Sequence, residues 1–250
     1  MKYVAFLAGV ALVAGLAGPA HADKTFGQFL QRTPSARLFQ YVKKDSGATK
    51  KAELHTTGTA TGNSTASIPV YYIFSETGLP VDLDGLQNAH LTVDFISDLG
   101  TTGTGNDRMQ LFDTVTSGTI SILRDTAAAE GSGSRTNLLT VSFSDAQLDA
   151  SQNSGSFTFQ SNVGSVINYS SDFLDLSNFV NEDFSFSFSG ASPTFNSVLG
   201  SSGRTTRFSG TGTFAAEPVP EVSTWAMMVA GFAAAGVMMR TGRRRLALAA

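Results

Sequence analysis

Two histidines, His55 and His90, are the only general bases with an ordinary pKa near neutrality beyond the first 22 residues. The 250-residue chain has no cysteine, so thiol nucleophiles, disulfides and Cys-ligated zinc or iron–sulfur sites are excluded. A Ser-His-Asp arrangement would have to draw on His55 or His90, with partners distant along the chain. His90 opens the run His-Leu-Thr-Val-Asp-Phe and His55 lies in a Thr-rich stretch; neither belongs to a nucleophile-elbow motif. Paired carboxylates could hydrolyse glycosides. The acidic residues, however, sit mostly beside Gly, Ser or Thr in loop-like sequence, and the single Trp, Trp225, lies far toward the C-terminus. The chain therefore reads as a protein without catalytic residues.

Binding chemistry has better candidates. Asp82-Leu83-Asp84-Gly85 offers two carboxylates two residues apart before a glycine turn, and Asn106-Asp107 adds oxygens in a Gly-rich stretch. Calcium takes six to eight oxygens, so Asp82 and Asp84 supply part of a calcium site, without the Glu of an EF-hand loop. The competing reading is a solvated Asx-type turn. For sugars, Tyr71 and Tyr72 are adjacent on a strand-like run and must point to opposite faces, so one ring is free to stack on a ligand. Tyr41 and Tyr169 are further candidate rings. Ser and Thr make up 56 of the 250 residues, which suits O-glycosylation as well as plain soluble strand faces.

The elements that must position these groups are strands. Ile68–Ser75 is an aromatic and β-branched run. Leu91, Val93 and Phe95 alternate with polar residues, as do Ile120 and Ile122, Leu139, Val141 and Phe143, Phe157 and Phe159, and Phe184, Phe186 and Phe188. Phe208 and Phe214 bracket a Ser-Gly-Thr-Gly-Thr stretch. A period of two, with one apolar and one hydroxyl face, describes half-buried antiparallel strands. Gly/Ser/Asn/Thr clusters at 57–67, 100–107, 130–137, 151–156 and 200–206 separate them. The pattern predicts an all-β fold, an antiparallel β-sandwich of about eight to ten strands, jelly-roll or Greek-key like. Seventeen Phe between residues 23 and 217 supply its core without cross-links. Helical spacing is confined to 23–31, where Phe26, Phe29 and Leu30 fall at i, i+3 and i+4, and to a single turn within 171–180; Arg37–Val42 reads as the first strand. Residues 23–217 carry 12 basic and 19 acidic side chains. That balance gives no footprint for nucleic acid and argues against polyanions bound by charge alone.

The two ends are of another kind. Residues 1–22 have Lys2, an apolar run from Val4 to Leu16, Pro19 and Ala20-His21-Ala22. This is the pattern of a secretory signal peptide, cleaved by signal peptidase after Ala22. Residues 218–250 place Pro220-Glu221, then an apolar run from Val222 to Met239 with Trp225 near its start, then Arg240, Arg243, Arg244 and Arg245. Eighteen helical residues reach about 27 Å, close to the ~30 Å hydrocarbon core of a bilayer. The arginines should stay cytoplasmic, which puts the ectodomain outside.

This order of motif, span and basic tail resembles the PEP-CTERM sorting signal of Gram-negative bacteria. The matching positions are Pro220, Glu221, Ser223, Thr224, Trp225, Ala226, Met227, Met228, Gly231 and Phe232, followed by the arginines; Val222 stands where that family usually has Pro. The resemblance implies cleavage by an exosortase near the motif, a membrane-bound intermediate, and delivery to the outer surface or extracellular matrix, often with exopolysaccharide. Asn137–Ser144, Tyr169–Asp175 and Gly210–Ala215 likewise resemble ectodomains fused to this signal, which are β-sandwiches of unassigned biochemistry. The expected role is structural or in association with exopolysaccharide or biofilm; the alternatives are a glycan-binding module at the cell surface and a secreted hydrolase. Nucleic acid is not an expected partner, and no cofactor is expected apart from the calcium candidate.

Overall fold

The computed structural model describes residues 24–44, 51–75, 79, 83–103, 107–112, 118–126, 136–151, 156–162, 165–177 and 179–218. Ala22 and the sorting residues Pro220, Glu221, Trp225, Arg240, Arg243, Arg244 and Arg245 lie outside them. The described chain is all-β, with fourteen antiparallel strands in one continuous sheet. In chain order they are β1 (Lys24–Gln31), β2 (Phe39–Lys43), β3 (Ala52–Thr56), β4 (Ile68–Phe74), β5 (Gln87–Ser97), β6 (Thr101–Thr102) and β7 (Asp107–Phe112). There follow β8 (Gly118–Arg124), β9 (Asn137–Phe143), β10 (Ala146–Ser151), β11 (Phe157–Ser161), β12 (Ile167–Ser170), β13 (Phe179–Ser192) and β14 (Thr205–Pro218). One short helix, α1 (Phe195–Leu199), precedes β14.

Alternation dictates the packing. β4 and β5 bury every second residue, and Phe184, Phe186 and Phe188 of β13 point inward while Ser185 and Ser187 point out. Inward rings from distant strands meet: Phe95 of β5 lies 4.7 Å from both Phe143 of β9 and Phe159 of β11, and Phe143 lies 4.8 Å from Phe184 of β13. The sheet therefore curls until its own two halves share one aromatic core. β14 makes room for that core with glycine. Phe208, Gly210, Gly212 and Phe214 all face inward. A methyl group on Gly212 would collide with the rings of Phe29 and Phe186, and one on Gly210 with Phe188. The Ser-Gly-Thr-Gly-Thr stretch is thus the middle of a strand over which neighbouring rings lie.

Two helical expectations are corrected. Residues 24–31 form a strand; the three-residue spacing of Phe26 and Phe29 comes from a β-bulge between Thr25 and Gly27 against β14, which resets the phase and turns both rings inward. Residues 171–177 form turns and no helix: Ser171 Oγ accepts the Phe173 and Leu174 amides in the manner of a helix cap, but the next turn is taken over by Asp175, which accepts from the Ser177 amide and hydroxyl. The first strand is β1, and the segment read as first, Arg37–Val42, supplies β2.

Fourteen segments exceed the eight to ten expected, and two of the extra segments arise because two neighbouring strands are each split. β1 and β2 pair along one edge of β14, with Leu30 opposite Thr211 and Phe39 opposite Phe208, so nine steps of one chain span three of the other. β3 and β4 pair in the same way along β5, through His55–Asp94 and Ile68–Leu91. The chain leaves the sheet at 32–38 and again, beside it, at 57–67. Side chains close the gap. Thr56 Oγ1 accepts the Val93 amide at 3.0 Å and donates to Ala66 O at 2.7 Å. Gln31 accepts the Gly210 amide and donates to Thr33 O.

Truncating Phe159, fully buried among Phe95, Phe143, Phe184 and Phe186, is expected to cost about 3–5 kcal/mol in Phe159→Ala. Gly212→Ala is expected to cost about 1–3 kcal/mol by overpacking. Urea unfolding followed by circular dichroism measures both.

Candidate functional site

Register turns the outward residues into rows that cross the sheet. One row runs Ser192, Arg207, Gln40, His55, Asp94, Thr119, Ser142 and Asn168, each directly opposite the next. A second runs Thr158, Ser187, Thr211, Leu30, Tyr71 and Asn88. Neighbouring strands are about 4.8 Å apart, so these rows set polar groups at short, regular intervals along a line across the strands.

The first row is partly roofed by the 57–67 excursion. Arg207 donates to Thr57 Oγ1 at 3.2 Å, to Asn63 Oδ1 at 3.1 Å and to Gly62 O. His55 Nε2 lies 3.0 Å from the Gln40 amide. With the Gln40 nitrogen turned toward His55 and Gly62, and its oxygen toward Arg207, each of these groups has a matching partner. That match requires an unprotonated Nε2. Burial pushes the His55 pKa below its ordinary value and outweighs the pull of Glu53 and Asp94; Lys44 and Arg207 push the same way as burial. His55 is thus a buried neutral hydrogen-bonding group that fixes Gln40, while Gln40 and Arg207 tie the excursion to the sheet.

The second row carries the stacking candidate. Tyr71 is half-buried on the outer face and Arg32 lies over its ring, 5.3 Å from the centroid. Asp125 pairs with Arg32 at 3.4 Å and with His90 Nδ1 at 2.6 Å. The four side chains form one surface cluster, flanked by exposed Leu30 and Leu123. With Arg32 over the ring, the cluster offers a sugar a guanidinium–aromatic stack beside a carboxylate and an imidazole, so flat surface and hydrogen-bonding groups stand together.

The other sequence candidates are placed differently. Tyr72 is fully buried, so as a ligand-binding ring it is corrected: its inward position on β4 removes it from any ligand. Tyr41 is likewise buried, and its hydroxyl donates to Gln110 Oε1 at 3.0 Å. The Tyr169 hydroxyl is spent on Asp183 O. Desolvation raises the pKa of all three phenols. Asp84 is exposed beside Gly85, while Asp82 lies outside the described residues. Among the described residues, no three His, Asp or Glu side chains converge to hold a metal ion. Sequence reading missed Arg32, Arg207, Gln40 and Asp125. Counting one step back from inward Phe208 would have turned Arg207 outward, but its partners follow only from strand order.

Against family models, curated proteins and solved structures, the chain finds no match.

Because the folded state holds His55 neutral, the unfolded chain binds a proton there that the folded chain refuses. The contribution of His55 is therefore whole above about pH 6.5 and declines as pH falls below it. The wild-type Tm is expected to drop more steeply from pH 7 to pH 5 than that of His55→Gln; parallel slopes would show that His55 is not the titrating group.

Proposed function

We propose that this chain is an exported cell-surface or extracellular-matrix protein, sorted by an exosortase, whose sheet associates with exopolysaccharide without catalysis. The observation that carries the second half of this reading is the outer row from Thr158 through Ser187 and Thr211 to Leu30, Tyr71 and Asn88. A polymer of sugars presents hydroxyls and ring faces at short repeats, and this row offers hydroxyls followed by an aromatic floor. Export and sorting rest on the terminal sequences alone. The reading is non-catalytic because His55 is buried in a matched hydrogen-bond network, and because His90, though its Nδ1 meets Asp125, has no serine or threonine hydroxyl hydrogen-bonded to its Nε2 among the described residues.

We also read the curled sheet as a two-layered β-sandwich. Support comes from the ring contacts that join β5 and β9 to β11 and β13 across the core, with polar residues alternating outward along each strand.

Two measurements test the proposal. Intact mass of the protein from the envelope and medium of its host is expected to lack residues 1–22 and to end near Pro220. A mass that keeps residues 222–250 would replace the released matrix protein with a tethered one. Co-sedimentation with the host's own exopolysaccharide is expected to fall about tenfold in Tyr71→Ala, the loss of one stacking ring and its edge contacts. Unchanged binding would remove the second row from the interface.

A further inference from the structure

Three departures from regular sheet meet at one place. The 32–38 excursion, the 57–67 excursion and a bulge between Ser189 and Ser192 of β13 enclose a cleft of about 670 Å³. Its walls include Pro34, Arg37, Ser189, Ser192, Arg207 and Ser209. Every stretch of chain that forms it belongs to the described residues.

The charge in this cleft is one-sided. Arg207 binds only neutral acceptors, namely a hydroxyl, a backbone carbonyl and an amide oxygen. Arg37 is exposed and, among the described residues, neither guanidinium is paired with a carboxylate. Arg37 also holds a left-handed backbone, with φ 49° and ψ 61°, closing the single turn Pro34–Ala36. A glycine would adopt that conformation without steric cost, whereas a residue with a Cβ is strained there by roughly 1 kcal/mol or more. The chain therefore keeps an arginine where its backbone favours glycine, and directs it into a cleft that already holds a second arginine. Ser189 and Ser192 add hydroxyls to the same walls, while Ser209 donates its own to Pro34 O and so fixes the 32–38 excursion against β14.

We infer that this cleft binds an acidic sugar unit, the guanidinium of Arg37 engaging its carboxylate and the serine hydroxyls its ring oxygens. The inference rests on the polysaccharide reading and narrows it to carboxylate-bearing polymers. It also reconciles such a ligand with an acidic ectodomain, since recognition falls to a local basic cleft and not to net charge. Arg207 has a second duty in holding the 57–67 excursion, so Arg37 is the informative position.

The full chain, in mild detergent, would be titrated with polygalacturonate, alginate and neutral dextran by microscale thermophoresis, as wild type and as Arg37→Gly. Wild type is expected to bind a polyuronate at least about tenfold more tightly than dextran, and Arg37→Gly to lose that preference while its Tm stays equal or rises. The Tm is the control against unfolding, because glycine relieves the backbone at this position. Arg37→Gly binding polyuronate like wild type would overturn the cleft as the site. Equal binding of dextran and polyuronates by wild type would overturn the acidic preference and leave the polysaccharide reading standing. Failure of wild type to bind any of the three, or the host's own exopolysaccharide, would remove both.

Discussion

The fold depends on one constraint: phenylalanine must alternate with hydroxyl residues along strands that share a single core. With no disulfide available, the buried rings of Phe29, Phe95, Phe143, Phe159, Phe186 and Phe214 hold the curled sheet together. Burying 150–250 Å² per ring gives each of these positions several kcal/mol of favourable transfer energy, opposed by the ordering of the chain. Everything outward follows from that commitment. Once alternate residues are claimed by the core, the intervening ones must face away, and antiparallel register lines them up from strand to strand.

The core requirement explains both the regular and the irregular parts. Where a ring needs space, β14 supplies glycine, and where phase must change, β1 carries a bulge at Phe26. Where the sheet is interrupted at 32–38 and 57–67, Gln31, Thr56 and Thr57 replace the missing ladder partners. Backbone groups near the opening are thus paired by these side chains and by main-chain bonds such as Thr57 N to Leu38 O and Ala66 N to Thr56 O. The outer surface is disturbed in the same places, which is why the polar network of His55, Gln40 and Arg207 and the cleft of Arg37 both lie beside the excursions.

The fold class is legible in the sequence because period two is visible in any single strand. Ile68–Ser75 and the Phe-Ser alternation of 184–188 declare themselves as strands by residue pattern alone. Phe26 and Phe29 mislead because a bulge copies helical spacing over so short a run. Tyr71 and Tyr72 can be assigned to opposite faces, but which of them faces outward depends on the core partners of β4. His55 and Arg207 are 152 residues apart in sequence and come together only through the order β3–β2–β14. Such a site is a product of topology, and no local motif announces it. The 57–67 excursion resembles an ordinary linker, since Gly-, Ser- and Thr-rich sequence looks the same whether it joins two strands or interrupts one.

β1 and β14 are hydrogen-bonded neighbours, with Lys24 opposite Ala216, so the first and last described residues emerge at the same end of one antiparallel ladder. A pull applied between these two ends would part the ladder like a zipper, breaking its bonds one after another. A pull applied between the end of β14 and a polymer seated across the sheet would instead run along β14 and strain its flanking ladders, to β1 and β2 on one side and β13 on the other, in shear, many bonds at once. As a mechanical element, the domain is weak when stretched from end to end and strong when loaded between one end and its face.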